Sequence, residues 1–356
     1  MNSSLVQRRF GMDLATSWIG AVLLPWTLSR GLLYVLAQGT AALRGRSGFA
    51  AWSVWDSAWY VRIAQDGYGF VSSRGETPYP FFPLLPALLR GGEGLGLSPL
   101  ATGVLLSHVA FLIALWGVYD ITRAHGSARE AALASWCLAF YPGSAALTLV
   151  YPCAIFLACA VWGFRAVERG RDGSAALLAA AAAMVRPNGA VLAMSLAVAA
   201  WCADGSWRRA LRVVLPAAAA VAAWLAWLYA ETGDALVFLH AKDAWHEVTL
   251  ASLLAGTDRV PKLDVAPVAF AVVVLALSWR RLPAAWLLFV ALALLPSLAL
   301  GMLGMPRYTA ACFPLFVAAG IVLARLPGAV CVAALTGSAG ALLFLAQRIF
   351  LSEHMP

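Results

Sequence analysis

A single carboxylate lies among tryptophans in the first third of the chain, and their spacing is that of a helix. The segment reads Trp52-Ser53-Val54-Trp55-Asp56-Ser57-Ala58-Trp59-Tyr60-Val61-Arg62-Ile63. Trp52, Trp55, Trp59 and Ile63 would form an aromatic stripe suited to the headgroup boundary of a membrane. Asp56 and Tyr60, four residues apart, would lie together beside that stripe. A carboxylate that loses solvation there becomes a stronger base, so Asp56 is a candidate general base. The alternative is an anchor helix whose acid faces water.

Two arginines stand in apolar surroundings at predicted helix ends. Arg186 begins Arg186-Pro187-Asn188-Gly189, and Arg307 lies in Met305-Pro306-Arg307-Tyr308. A guanidinium is costly in apolar surroundings unless it has a function or a partner, and its planar fork matches a phosphate bidentately. Both arginines are therefore candidate phosphate ligands, and the alternative is that they extend to lipid headgroups. Asn188 could simply cap the helix that follows.

A proline-rich stretch and a polar stretch complete the unusual sequence features. The first reads Tyr79-Pro80-Phe81-Phe82-Pro83-Leu84-Leu85-Pro86 and could shape a groove for an isoprenoid tail or form a rigid elbow. The second, residues 231–262, contains Glu231, Asp234, His240, Lys242, Asp243, Trp245, His246 and Glu247. Its spacing matches no standard metal site, so a divalent metal is not supported and no cofactor is predicted. Trp245 is better interpreted as a sugar-stacking residue.

The composition places these residues in a membrane protein. Of 356 residues, 62% are apolar and 12% are charged, about half the roughly 25% typical of soluble domains. Such a chain needs an apolar exterior, which excludes a soluble enzyme, a disordered chain and a disulfide-stapled module. The net charge of +8 is scattered, so no nucleic-acid partner is indicated. The six cysteines lie in apolar runs without a CxxC spacing.

Hydropathy predicts an all-α polytopic protein with about 11 transmembrane helices, given a hydrocarbon core of ~30 Å. The first apolar stretch, 14–36, is interpreted as an uncleaved span. The others are roughly 99–122, 130–147, 149–165, 174–186, 187–203, 213–230, 264–279, 283–301, 307–324 and 328–350. We expect residues 1–356 to form one integral membrane domain.

The positive-inside rule predicts a cytoplasmic N-terminus, because this orientation gives the cytoplasmic side the larger surplus of basic residues. Residues 44–98 and 231–262 then become external loops, the first carrying the interfacial helix. The breaks at 141–151, 186–189 and 305–308 face the same side. The Arg- and Ala-rich composition favours a bacterial plasma membrane with the active face outside.

Several motifs resemble those of PIG-V-type mannosyltransferases, which are integral membrane glycosyltransferases of the GT-C class. The matching residues, in order, are Trp55-Asp56-x-x-Trp59-Tyr60-x-x-Ile63-Ala64-x-x-Gly67-Tyr68, Phe81-Phe82-Pro83-Leu84-x-Pro86, Arg186-x-Asn188-Gly189, Gly233-Asp234 with Trp245, and Arg307-Tyr308 with Phe313-Pro314-Leu315. Two positions depart from the family pattern. Cys153 stands where a Tyr-x-Glu acid is usual, and Lys242 stands where a Gln often precedes the loop tryptophan.

The resemblance implies transfer of mannose from a polyprenyl-phosphate donor to an acceptor hydroxyl outside the cytoplasm, with inversion. Asp56 would be the general base, and Arg186 and Arg307 would bind the donor phosphate. The implied substrate-binding residues are Trp55, Trp59, Tyr60, Asn188, Trp245 and Tyr308. Membrane lipids are the other expected partners, and the acceptor is not identified. Two alternatives are a transporter or flippase of a lipid-linked sugar and, because of Cys153, a catalytically inactive glycosyltransferase-like subunit.

Overall fold

The computed structural model describes residues 17–45, 48–73, 75–241, 262–300 and 304–353, and every regular element in these ranges is helical. The α-helices are α1 Leu24–Leu43, α2 Asp56–Asp66, α3 Leu84–Gly91, α4 Pro99–His125, α5 Ala128–Phe140, α6 Cys153–Glu168, α7 Asp172–Val185, α8 Asn188–Asp204, α9 Trp207–Thr232, α10 Val237–His240, α11 Lys262–Ser278, α12 Ala284–Leu300, α13 Met305–Ala310, α14 Phe313–Leu323 and α15 Gly328–Phe350. Short 3₁₀ helices span Gly48–Trp52, Gly92–Leu95, Pro142–Leu147 and Trp279–Arg281, and a π-helical turn, Ile19–Leu23, precedes α1.

Hydroxyl caps define where several long helices begin. Ser98 accepts a hydrogen bond from the backbone N–H of Ala101 at the start of α4. Ser127 and Glu130 form a reciprocal capping box at the start of α5. Such side chains satisfy N–H groups that the first helical turn leaves unpaired. The turns between helices are therefore specified locally, and the helices that follow start at defined residues.

Five described helical stretches are long and apolar enough to cross a membrane, by length and composition alone. They are Ile19–Leu43, Pro99–His125, Trp207–Thr232, Leu263–Arg281 and Gly328–Phe350. Four apolar helices are shorter: Asp172–Val185, Asn188–Asp204, Ala284–Leu295 and Phe313–Leu323. Two predicted spans are split, because 130–147 becomes α5 plus a 3₁₀ helix and 307–324 becomes α13 plus α14. The total of eleven spans stays a prediction.

Small residues bring the central helices close together. Helix α7 packs against α6, α8 and α9, and its residues Ala175, Ala179 and Ala182 are fully buried. A Cβ at Gly320 of α14 would collide with the backbone carbonyl of Glu130 on α5. Close packing of this kind is the main source of helix association in lipid. The packing of α5 against α14 and of α7 against α6 sets where these helices end, and the polar side chains described below lie at or near such ends.

The aromatic segment around Asp56 differs from the predicted single helix. Trp52 belongs to the 3₁₀ helix Gly48–Trp52 and is 1% exposed, whereas α2 begins at Asp56. The Trp59 ring stacks on Phe81, with 5.4 Å between centroids, and Ile63 is buried. The prediction of one continuous helix is therefore wrong, because residues 53–55, with Trp55 at a positive φ, separate the 3₁₀ helix from α2. The placement of α2 at a membrane surface stays a prediction.

The proline-rich stretch forms a packed elbow, the second of the two interpretations of its sequence. The Tyr68 hydroxyl donates a 2.8 Å hydrogen bond to the Phe81 carbonyl, and the Phe82 ring lies 5.9 Å from the ring of Trp224 on α9. Helix α3 begins directly after Pro83. The elbow thus fixes α2 against α3 and α9, and α2 carries Asp56.

Candidate active site

Asp56 and Arg307 form an ion pair between two distant parts of the chain. Arg307 Nη1 donates to Asp56 Oδ2 at 2.7 Å, and the two side chains are 14% and 21% exposed, respectively. Asp56 is the first residue of α2, and Arg307 lies in the short helix α13. Partial exposure leaves the pair accessible to a ligand. The sequence singled out both residues for different roles and did not predict their contact.

The residue before Asp56 has an unusual backbone conformation. Trp55 has φ 53° and ψ −129°, a region that residues with a Cβ rarely adopt. Its buried indole Nε1 has no hydrogen-bond partner among the residues that the structure describes. Backbone strain of this kind persists where the surrounding structure enforces it, and it is frequent at functional sites. The turn at Trp55 directs the chain into α2 and sets where the Asp56 carboxylate begins that helix.

Tyr151 links the Asp56 backbone to the break between α5 and α6. Its hydroxyl accepts a 3.1 Å hydrogen bond from the backbone N–H of Asp56, and the Arg307 guanidinium lies 5.8 Å from the centre of its ring. The side chain is 1% exposed. The break was a predicted feature of the sequence, whereas Tyr151 itself had no predicted role. The sequence feature that could have indicated a role for Tyr151 is its hydroxyl, which lies in an otherwise apolar break between two helices.

Arg186 is a buried cation next to this ion pair. It is 8% exposed and donates from Nη1 to Cys153 Sγ at 3.6 Å. Its guanidinium carbon lies 5.2 Å from the ring centres of both Phe156 and Tyr308. Among the described residues it forms no salt bridge with a carboxylate. The sulfur that contacts it belongs to the residue that stands where the family pattern has a glutamate.

The side chains of Arg186 and Arg307 meet at Tyr308. The Arg307 guanidinium carbon also lies 5.2 Å from the centre of the Tyr308 ring. Two guanidiniums and one carboxylate leave this cluster with an excess positive charge. A partly enclosed site with that balance favours an anionic group, and a phosphate oxygen can accept two N–H groups from one guanidinium.

Tyr60 and Trp59 contribute to the wall of the site beside Asp56. Burial and then the negative charge of Asp56 raise the pKa of the Tyr60 hydroxyl well above its ordinary value. The hydroxyl therefore stays protonated near neutral pH, and it can donate a hydrogen bond but cannot act as the base. The Tyr60 ring meets Phe81 edge-on at 5.1 Å, and Trp59 stacks on the same ring. Both aromatic side chains are thus fixed by the elbow.

The remaining predicted residues lie at the edge of the cluster or outside the described chain. The Asn188 amide donates to the Ala293 carbonyl at 3.5 Å, and α8 has Pro187 at its N-cap position without a side-chain cap. The capping alternative for Asn188 is therefore wrong. Trp245 lies outside the described residues, as do Lys242, Asp243, His246 and Glu247.

The described part of the second polar stretch, residues 231–241, contains local contacts around Asp234. His240 Nδ1 and Asp234 Oδ2 are 2.6 Å apart, and the hydrogen bond from His240 lowers the pKa of the Asp234 carboxyl. Among the described residues, no group of three His, Cys, Asp or Glu side chains could hold a metal ion. Metal dependence remains untested.

Asp264 is a buried acid that sequence analysis did not single out. It is 0% exposed, and its Oδ1 accepts a 2.9 Å hydrogen bond from the backbone N–H of Met305. Met305 is the first residue of α13, so this carboxylate fixes the start of the helix that holds Arg307. The available signal was an acidic residue at the beginning of an apolar run, where ionised groups are rare.

Comparison with known proteins yields one family and a set of distant folds. The family model "Mannosyltransferase (PIG-V)" matches residues 41–203, which include Asp56, Cys153 and Arg186. The oligosaccharyltransferase AglB from Archaeoglobus fulgidus, in complex with an inhibitory peptide and a dolichol-phosphate, has 14% identity and a TM-score of 0.50. The alignment covers 95% of this chain and 56% of that one.

Another similar structure is the arabinofuranosyltransferase AftD from Mycobacteria, with 19% identity and a TM-score of 0.49. That alignment covers 91% of this chain and 27% of AftD. The chain thus spans about half the length of AglB and about a quarter of the length of AftD. No curated protein matches it in sequence.

The AglB comparison concerns the fold alone at this identity, and the fold is GT-C-like. The apolar helices and the family match over residues 41–203 support a multi-pass membrane protein. The resemblance to the PIG-V mannosyltransferase family is confirmed over residues 41–203, and the motifs at Gly233-Asp234 and Arg307-Tyr308 lie beyond the match.

Proposed function

We propose that this chain transfers a hexose, mannose by its family match, from a polyprenyl-phosphate donor to an acceptor hydroxyl on the outer face of the membrane. The observation that carries the proposal is the Asp56–Arg307 ion pair, 2.7 Å long and next to Arg186, in a chain whose residues 41–203 match a mannosyltransferase family. A base and a surplus of guanidinium charge are the two requirements of this reaction.

In the proposed reaction, the acceptor oxygen attacks the anomeric carbon from the side opposite the phosphate. The new carbon–oxygen bond forms as the bond to the phosphate oxygen breaks, so the anomeric configuration inverts. Asp56 takes the proton of the acceptor hydroxyl. The leaving group is an anion already, and the guanidiniums of Arg186 and Arg307 stabilise the charge that develops on it.

The ion pair also suggests an order of binding. In the described structure Arg307 Nη1 donates to Asp56 Oδ2, one of the two oxygens that could take the proton of the acceptor hydroxyl. A donor phosphate would compete for the same guanidinium. Donor binding would thereby free the Asp56 carboxylate for the acceptor hydroxyl, so we expect the donor to bind before the acceptor reacts.

A large apolar cavity lies on the other side of α13 and suits the isoprenoid tail of the donor. Its volume is about 460 Å³, within the roughly 300–1,000 Å³ typical of ligand pockets. Pro306, directly before Arg307, lines one part of it, with Phe270, Leu335 and Phe344 lining other parts. A lipid with its phosphate at Arg307 could place its tail here. The proline-rich elbow, which the sequence offered as a tail groove, does not line this cavity.

The AglB structure supports a lipid-phosphate donor, because that protein is in complex with a dolichol-phosphate. The decisive experiment uses the purified chain in detergent with a radiolabelled polyprenyl-phosphate mannose and a cell-wall or membrane extract. We expect label to move to an acceptor, and the product to have inverted anomeric configuration. Failure of transfer with every polyprenyl-phosphate hexose, for a folded protein, would reject the proposal.

The proposed outer location of the site has its own test. Ser73 is exposed in the first polar loop, and Cys202 is exposed at the end of α8. In a background without other cysteines, Ser73→Cys should react with an impermeant maleimide in intact cells. Native Cys202, kept as the sole cysteine, should react only after permeabilisation. The opposite pattern would place the site in the cytoplasm.

A further inference from the structure

Arg30 lies in the middle of α1, inside a helical stretch long enough to cross a membrane, and it is 3% exposed. Its surroundings contain no carboxylate partner among the described residues. The side chain instead donates to neutral oxygens, and the Phe111 ring centre lies 4.3 Å from its guanidinium carbon. A charge in this environment is costly, so a specific reason for its presence is expected.

All five N–H groups of the guanidinium are used. Arg30 Nε donates to Ser29 Oγ at 3.3 Å, and Nη1 donates to the Ser144 carbonyl at 3.0 Å and to Thr148 Oγ1 at 2.5 Å. Nη2 donates to the Ala139 carbonyl and to Ser144 Oγ, both at 3.1 Å. A saturated donor set leaves nothing for a transported substrate, which argues against the transporter interpretation of this residue.

The acceptors of Arg30 belong to the break between α5 and α6. Ala139 lies in the last turn of α5, Ser144 lies in the 3₁₀ helix Pro142–Leu147, and Thr148 ends that helix. A broken helix leaves backbone carbonyls without intrahelical partners, and in lipid they need other donors. Arg30 supplies those donors and fixes the break against α1.

The first part of this break, residues 141–143, packs against α13, the helix that holds Arg307. A Cβ at Gly143 would collide with the Pro306 carbonyl oxygen, so α13 lies directly on the break. Thr309 of α13 donates to the Met305 carbonyl, and the Tyr141 hydroxyl is 2.6 Å from Thr309 Oγ1. The position of α13, and with it Arg307, therefore depends on the position of residues 141–148.

The last residue of the break, Tyr151, contacts the backbone of Asp56. Tyr151 follows Thr148 by three residues and accepts a hydrogen bond from the Asp56 backbone. Both members of the Asp56–Arg307 pair thus contact the segment that Arg30 holds, although Arg30 itself contacts neither of them. We infer that Arg30 is a positioning residue that sets the geometry of the Asp56–Arg307 pair through residues 139–151.

The first test measures this positioning without any assay of transfer. Cys153 begins α6 next to the break and is 2% exposed, and Cys159 lies farther along the same helix and is 6% exposed. Each is kept as the sole cysteine, and the rate of maleimide labelling is measured in detergent. Arg30→Gln should accelerate labelling of Cys153 by about tenfold through local opening and leave Cys159 within about twofold.

Two further variants keep this test decisive. Thr148→Val removes one acceptor, preserves the charge and shape of Arg30, and should cause a smaller acceleration at Cys153. Arg209→Gln alters a partly buried arginine on α9 that contacts Asp172, and should change neither rate. Unchanged Cys153 labelling in folded Arg30→Gln and Thr148→Val would overturn the inference, and so would equal acceleration at both cysteines.

The link to catalysis rests on the proposed function and is tested separately. Turnover at saturating donor should fall by about tenfold or more in Arg30→Gln, because the base and the phosphate ligand lose their relative position. If the unaltered protein transfers no sugar, the proposed function fails, while the labelling result still decides the positioning role. Full turnover in a variant whose Cys153 has become reactive would refute the effect on the Asp56–Arg307 pair.

Discussion

The two ends of the helical bundle differ in how their arginines are paired with carboxylates. At the end where α4 and α6 finish and α7 and α9 begin, three arginines (Arg165, Arg169 and Arg209) contact carboxylates. The pairs, with their distances, are Arg165–Asp120 at 2.6 Å, Arg165–Glu168 at 3.1 Å, Arg169–Asp120 at 2.8 Å and Arg209–Asp172 at 2.7 Å. At the opposite end, Arg307 contacts the Asp56 carboxylate, whereas Arg186 contacts no carboxylate among the described residues.

The difference indicates that the paired arginines connect neighbouring helices, whereas an unpaired arginine such as Arg186 is available to bind an anionic ligand. A paired arginine at a helix end satisfies its donors within the protein and contributes to packing. A buried guanidinium such as Arg186, which contacts a thiol and two aromatic rings, keeps its charge uncompensated at a cost in stability. An anionic substrate would offset that cost, so mutations at the two ends should have separable effects on activity and stability.

The largest expected effect is on the base. Asp56→Asn preserves size and removes the proton acceptor, so turnover at saturating donor should fall by roughly 10²–10⁴-fold, the usual contribution of a positioned base. The matched control is Asp66→Asn on the same helix, since Asp66 is 59% exposed and contacts Arg62 in an exposed ion pair. Thermal unfolding of both variants is measured alongside turnover. Equal turnover in Asp56→Asn and the unaltered protein would leave α2 as an anchor.

The next effect concerns the planar fork of Arg307. Arg307→Lys keeps the charge and loses bidentate geometry, so the donor dissociation constant should rise by about 10- to 100-fold, the equivalent of one or two hydrogen bonds to a charged group. Arg62→Lys is the control, because Arg62 is 49% exposed. Direct donor binding, measured in detergent, provides the readout. Unchanged affinity in Arg307→Lys would restrict this arginine to its pairing with Asp56.

A substitution at Cys153 can give Arg186 the carboxylate partner that the paired arginines at the other end have. Cys153→Glu would place a carboxylate against Arg186 and make the site resemble the paired end. If Arg186 binds the donor phosphate, the variant should weaken donor binding by about tenfold, and the neutral Cys153→Gln should weaken it less. A gain of transfer activity in Cys153→Glu would contradict this expectation and would support the inactive-subunit interpretation of the native chain.

The smallest effect is expected at the paired end. Arg169→Gln removes one of two arginines on Asp120 and should lower the free energy of unfolding by less than about 1 kcal/mol, as for other exposed pairs. Transfer activity should be unchanged. Denaturation in detergent and the transfer assay test the two statements separately. A loss of activity here would mean that the two ends are coupled more strongly than their contacts indicate.

Local sequence patterns predicted most of the long helices and the identity of several polar residues near the site, but not the splits within 130–147 and 307–324. Ser98 and Ser127 mark helix starts, and the proline and glycine breaks at 142–143 and 187–189 divide the helices where the sequence indicated. Sequence motifs also identified Asp56, Arg186 and Arg307, and the structure brings these three together. Their roles remain predictions.

Contacts between distant segments could not be predicted from such patterns. Nothing near Asp56 in the sequence indicates its pairing with Arg307, and the burial of Trp52 depends on α15, whose Phe350 lies 5.4 Å from it, ring to ring. The roles of Asp264 and Tyr151 likewise depend on partners in other helices. Helical periodicity predicts one helix at a time, whereas the roles of these residues depend on contacts between different helices.

The distance along the chain between Asp56 and Arg307 has a consequence for biosynthesis. The two residues are 251 positions apart. A chain emerging from the ribosome inserts its early helices first, so the base and Arg186 reach the membrane well before α13 does. A chain that stops before α13 would hold a carboxylate and a cation without the partner that completes the site. Synthesis and insertion of α13 thus become the step at which the proposed enzyme first acquires its activity.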